Sequence, residues 1–208
     1  MNAATQILTL TGSAGIIEAL LDVPADGTAR GTAIVAHPHP LFGGTLQNKV
    51  VQTLARAFVQ CGWQAVRFNF RGVGASAGTY DEGRGEAEDM LAVVEQVAPQ
   101  GPLALAGFSF GAFVTSHVAQ TLAPVRSLEK LVLVGTAASR FVVAPVAPEL
   151  HEKTLVLHGE QDDTVPLSSV MDWARPQSLP VTVIPGVEHF FHGQLPLLRS
   201  LVARHLRA

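Results

Sequence analysis

The stretch Leu103-Ala-Leu-Ala-Gly-Phe-Ser-Phe-Gly-Ala112 decides how the chain folds. Its first half is an unbroken apolar run, the pattern of a strand buried on both faces. Its second half, Gly107-Phe-Ser-Phe-Gly111, has the G-x-S-x-G spacing, and small and apolar residues then continue at helical periodicity to about Leu122. A chain that turns sharply from strand to helix at a serine strains that serine's backbone and lifts its hydroxyl clear of the sheet; glycines two residues to either side remove Cβ atoms that would strike the neighbouring chain. The bare pentapeptide occurs in many unrelated proteins. Between a buried strand and a helix, it presents Ser109 as a nucleophile.

Outward from this turn, apolar runs rich in β-branched residues alternate with amphipathic segments. Strands are expected over residues 16–23, 31–36, 64–70, 130–134, 153–158 and 181–184, and helices over 47–61, 86–97 and 193–206, with Gly62 closing the first helix. Strands that alternate with helices pair in parallel, because a crossover between parallel neighbours needs a helix's length of chain. A hairpin-like pair before Gly31 adds an antiparallel edge. The expected fold class is therefore α/β, a mostly parallel twisted sheet with helices on both faces. No repeat, low-complexity tract or shift in composition marks a boundary, so residues 1–208 are read as a single domain.

A serine hydroxyl is a weak nucleophile at neutral pH and needs a base, which in turn needs an orienting acid. On a sheet of this kind these follow the serine in the order acid, then histidine, each in a loop after a later strand. Leu155-Val-Leu-His-Gly159 runs out into a loop with three carboxylates, Glu160, Asp162 and Asp163, any of which can serve. Val181-Thr-Val-Ile184 runs out to His189, the expected base; His192, beside Gly193, reads as a surface or capping residue. His158 ends a strand next to the acid loop and reads as structural, while His117, His151 and His205 read as ordinary helix or surface residues.

Acyl transfer passes through a tetrahedral oxyanion, which two backbone N–H groups can hold. One belongs to the residue after the nucleophile, Phe110. The other comes from the loop after the strand that ends at Ala36, Ala36-His-Pro-His-Pro-Leu-Phe-Gly-Gly-Thr45. Pro38 and Pro40 have no N–H, which leaves His39 or Leu41 as the donor. The His37/His39 pair also invites a metal reading. It ranks below the oxyanion and structural readings, because no acidic or cysteine ligand lies nearby in sequence.

Of 208 residues, 48% are hydrophobic and 15% charged, with a formal net charge of −3. That composition suits a globular core and offers no basic field for nucleic acid. Cys61 is the single cysteine, so no internal disulfide or thiolate metal cluster can form. Residues 1–10 lack the basic start and apolar run of a signal peptide, and no apolar stretch approaches the roughly 20 residues of a membrane span. A cytoplasmic protein without membrane contact or cofactor is expected.

His37-Pro-His-Pro-Leu-Phe-Gly-Gly-Thr45, Arg67-Phe-Asn-Phe-Arg-Gly-Val-Gly-Ala-Ser76, Gly107 to Gly111, His158-Gly-Glu-Gln-Asp-Asp-Thr-Val-Pro166 and Gly186-Val-Glu-His-Phe-Phe191 occur in an order that resembles the α/β-hydrolase superfamily over nearly the whole chain. More narrowly it resembles the small bacterial dienelactone-hydrolase-like group with the HPHP..GG loop. The resemblance implies a Ser109, Asp162, His189 triad with Phe110 in the oxyanion hole, and it selects Asp162 from the three carboxylates. Two departures follow. Dienelactone hydrolase uses a cysteine where this chain has Ser109, which suits ordinary esters or thioesters. Only residues 135–152 separate two strands where many relatives insert a helical cap, so the site should be open. Phe42, Phe141 and Phe190 are expected to line an acyl pocket together with Phe110 and Phe191, and Phe108 reads as core. Arg71 and the turn after it read as a brace. The expected activity is that of a serine hydrolase acting on a small acyl compound; an acyltransferase on the same triad and an inactive ligand-binding scaffold are the alternatives.

Overall fold

A computed structural model describes residues 5–208. The reading of residues 1–10 therefore rests partly on residues 1–4, which lie outside the described residues. Among the described residues the strands are β1 (Thr5–Gly12), β2 (Gly15–Asp22), β3 (Thr32–Ala36), β4 (Gln64–Phe68), β5 (Leu103–Phe108), β6 (Leu128–Val134), β7 (Thr154–Gly159) and β8 (Val181–Ile184). The helices are α1 (Lys49–Gln60), α2 (Arg84–Val97), α3 (Phe110–Leu122), α4 (Leu167–Ala174) and α5 (Leu195–Arg207). The strands form one open sheet in the order β1-β2-β4-β3-β5-β6-β7-β8. Pairing is parallel from β4 to β8 and antiparallel at β1–β2 and β2–β4.

The alternation of side chains along the central strands explains why both faces are covered. On β3 and β5, Ile34, Ala36, Leu103 and Leu105 face one apolar cluster, while Ala33, Val35, Ala104, Ala106 and Phe108 face the other. The first cluster is closed by α2, α3 and α4 through residues such as Met90, Val93, Val114 and Val170. The second is closed by α1 and α5 through Val50, Leu54, Phe58, Leu198 and Val202. From β3 the chain passes by α1 to β4 on one side and then returns by α2 to β5 on the other. The strand order reverses between β3 and β5, and the crevice above their carboxyl ends is where an open α/β sheet binds ligands.

The boundaries differ from the sequence expectation in instructive ways. The strand expected to reach Phe70 stops at Phe68, because the Asn69 N–H turns to Glu18 O at 2.8 Å and the Phe70 N–H to His37 Nε2 at 3.0 Å. The first helix starts two residues late, since Asn48 caps it by accepting from the Val50 N–H at 2.9 Å. The second helix starts early, as Glu86 reaches back to the Gly83 N–H at 2.8 Å. Helix α4 was not expected at all. Between β6 and β7 the chain forms loop and a short 3-10 segment, Pro148–Lys153, and no cap.

Candidate active site

The turn from β5 into α3 carries Ser109 at φ 57°, ψ −117°, a conformation that L-residues avoid. It is enforced from both sides by close backbone approach. A Cβ on Gly107 would lie 2.3 Å from Gly111 O, and a Cβ on Gly111 would lie 2.5 Å from both Ala36 O and His37 O. Helix α3 is thus pressed onto the end of β3, with the serine at its first turn. The Ser109 N–H is held by Val134 O at 2.8 Å.

The two later loops bring their side chains to this point. His189 Nε2 lies 3.0 Å from Ser109 Oγ, and His189 Nδ1 lies 2.6 Å from Asp162 Oδ2. A carboxylate only accepts, so the imidazole proton sits on Nδ1 and leaves Nε2 to accept from the hydroxyl. The other Asp162 oxygen accepts the Thr164 and Val165 N–H groups at 3.0 and 2.7 Å, which fixes the carboxylate within its turn. Asp163 contacts only the Thr164 hydroxyl, at 3.4 Å, and Glu160 accepts from the Gly186 N–H at 2.9 Å; neither approaches His189. His192 points outward to Glu188 at 2.8 Å. Phe108 packs on the His189 ring at 4.9 Å, and a Cβ on Gly135 would lie 3.2 Å from both rings, a tight approach that glycine avoids. His158 is fully buried behind the acid. Its Nε2 is 2.9 Å from Val165 O and 3.4 Å from Asp162 Oδ2, and burial lowers its pKa, so it supports the turn as a neutral group.

The loop after β3 divides its two histidines between different tasks. His37 is fully buried; its Nε2 accepts from the Phe70 N–H at 3.0 Å and its Nδ1–H donates to Pro38 O at 2.6 Å, which leaves neither nitrogen for a metal. Burial pushes its pKa down to about 4. His39 opens a 3-10 turn, with its carbonyl accepting from Phe42 and Gly44. Its Nδ1 accepts the Leu41 N–H at 3.2 Å. Leu41 thus has its N–H bonded inside the loop; the residue is 66% exposed and is not among those that line the cleft, whereas His39 is. The Phe110 N–H, first in α3, has no carbonyl within the helix to bond.

Residues 41–142 match the Hydrolase_4 family, described as serine aminopeptidase, S33. The chain is 37% identical to a serine hydrolase without lid from Xanthomonas campestris, covering 100% of this chain and 95% of that one with a TM-score of 0.88. It is 39% identical to an alpha-beta serine hydrolase homologue from Coxiella burnetii, covering 97% of each chain with a TM-score of 0.82. An uncharacterized protein of Rickettsia prowazekii is 30% identical over 170 residues, 76% of this chain and 71% of that protein. The chain belongs to the α/β-hydrolase superfamily. The lidless Xanthomonas relative accords with the bare segment between β6 and β7.

In this α/β-hydrolase a cleft of ≈ 390 Å³ opens above Ser109 and His189. Phe42, Phe110, Phe141 and Phe190 line it, whereas Phe108 and Phe191 are fully buried in the core and do not. Sequence reading missed Asn48, Ala137, Arg140, Thr164 and Val165, which also line the cleft. It missed Tyr80 as well, whose ring lies 4.9 Å from His39 and 5.8 Å from Phe110 and backs the loop after β3. Nothing in their spacing along the chain signals these positions. Arg71 is a brace: its guanidinium bonds Asp89 at 2.8 Å and Ser13 at 3.2 Å. Among the described residues, no helix is long and apolar enough to cross a membrane.

Proposed function

We propose that this protein hydrolyses carboxylic ester or thioester bonds of a small acyl compound through an acyl-enzyme on Ser109. The observation that carries the reading is the continuous hydrogen-bonded series Ser109–His189–Asp162, at 3.0 and 2.6 Å, at the floor of an apolar cleft. Ser109 Oγ attacks the acyl carbon while His189 Nε2 takes its proton, and the imidazolium is stabilised by Asp162. The oxyanion is received by the N–H groups of Phe110 and His39; Pro38 and Pro40 on either side of His39 fix its backbone and donate nothing themselves. His189 then passes the proton to the leaving oxygen or sulfur, and water, deprotonated by the same imidazole, releases the acid.

The test is turnover of p-nitrophenyl butyrate and labelling by a fluorophosphonate probe. Ser109→Ala should lose at least roughly 10³-fold in kcat and all labelling, because removing a nucleophile leaves only binding and oxyanion stabilisation. Wild-type turnover in that variant would overturn the mechanism. Product analysis with added alcohols separates hydrolysis from acyl transfer.

A further inference from the structure

The lining of the cleft among the described residues is largely apolar and carries one cationic side chain without a carboxylate partner. Among its described lining residues none is acidic, and Arg140 is its one arginine or lysine. Arg140 is exposed on the segment after β6, and among the described residues its guanidinium makes no ion pair. Among the described residues Arg67, Arg71 and Arg84 are paired with Asp22, Asp89 and Asp81 at 2.9, 2.8 and 2.9 Å, whereas Arg30, Arg56, Arg199, Arg204 and Arg207 make no ion pair either; what sets Arg140 apart is its place in the lining of the cleft. His39, which lines the same cleft, supplies a second donor. Its Nδ1 already accepts the Leu41 N–H, so its ring proton sits on Nε2, and the ring is held between Phe42 at 4.7 Å, Phe110 at 4.9 Å and Phe141 at 6.0 Å. Burial first and the Arg140 charge second lower the His39 pKa, which favours the neutral imidazole, while the Leu41 N–H bond to Nδ1 selects the tautomer.

A guanidinium without a carboxylate, in one cleft with a fixed N–H donor and phenyl rings, is the chemistry that recognises anionic oxygens. We propose that Arg140 and His39 Nε2–H form an anion subsite in the cleft, so that the preferred substrate is an ester or thioester bearing a carboxylate or phosphate group. The inference rests on the hydrolase reading above and adds the substrate class to it. Phe42, Phe141 and Phe190 take the apolar part of such a substrate, and the negative group points to Arg140.

Matched pairs of esters test this at low ionic strength. Mono-p-nitrophenyl glutarate against p-nitrophenyl butyrate places a carboxylate on the acyl side; 4-acetoxybenzoate against its methyl ester places one on the alcohol side; 4-acetoxyphenyl phosphate against 4-acetoxyanisole tests phosphate. In at least one pair the anionic member should be preferred by roughly tenfold or more in kcat/KM, as expected for one charge-assisted contact. In Arg140→Gln that ratio should collapse to within about twofold, in Arg140→Lys it should survive in part, and added salt should erode it. Each ratio is taken within one preparation, so loss of folded protein does not move it. A wild-type ratio near one in all three pairs, or a preference that persists in Arg140→Gln, overturns the subsite while neutral turnover and probe labelling keep the hydrolase reading. Absence of both neutral turnover and labelling overturns the two together.

Discussion

At the scale of single residues, Ser109 is held in a backbone conformation that costs about 1–3 kcal/mol, and the surrounding carbonyls supply the restraint. Stability and activity should therefore separate at this position. Neither Ser109→Gly nor Ser109→Ala has the hydroxyl, but only glycine accepts the φ of 57° without strain. After subtracting the greater freedom of glycine in the unfolded chain, the glycine variant should be about 1 kcal/mol more stable than the alanine variant, a rise of roughly 2–4 °C in Tm. Thermal unfolding of the two variants, followed by circular dichroism, checks it; equal midpoints would mean that the elbow stores no strain. The carboxylate that meets His189 was not legible in the sequence on the same terms. Glu160, Asp162 and Asp163 share one loop, and what distinguishes Asp162 is a turn in which its Oδ1 collects the Thr164 and Val165 N–H groups, leaving Oδ2 for His189. Arg140 carried no signal in its spacing, since its importance lies in what it does not pair with.

Between elements, His37 is the joint. It ties the loop after β3 to the exit of β4 by accepting the Phe70 N–H, and to its own loop through Pro38 O. His37→Ala leaves a buried N–H without a partner, which should destabilise the fold by about 1–3 kcal/mol in urea unfolding. Because the same loop carries the proposed oxyanion donor, kcat should fall more than KM changes; a stability loss with unchanged kcat would make His37 a purely structural bolt. The elements themselves were largely legible in advance. β5 and β7 are continuous apolar runs, and α1 and α5 carry their apolar residues at helical spacing, so period and length marked them. Helix α4 was not legible: Leu-Ser-Ser-Val-Met-Asp-Trp-Ala is eight residues with two serines and Pro166 in place of a side-chain cap. It is held by packing Val170 and Ala174 into the core, a tertiary effect that local pattern does not report.

For the whole molecule, two histidines far from one another make stability fall as acid is added. His205, half-buried near Lys130 and bonded to Lys153 O at 3.1 Å, is pushed down to about 4, chiefly by desolvation and then by the Lys130 charge; His37 is likewise held at about 4 by burial. Both are lowered from 6.5, so the unfolded chain binds protons that the folded chain refuses. Their contribution is complete above pH 6.5 and is lost progressively as pH drops towards 4, with no change from them on the alkaline side. Unfolding free energies measured by urea between neutral pH and that limit should decline, and His205→Gln should flatten the decline; an unaltered slope in the variant would place the acid sensitivity elsewhere. The chain from β6 to β7 has a further consequence for the molecule as a whole. With nothing folded over the cleft, an acyl group carried on the serine would remain in contact with bulk solvent throughout its lifetime. Competition among acceptors would then be governed by abundance, and the solvent itself would outnumber any alcohol or amine that reached it.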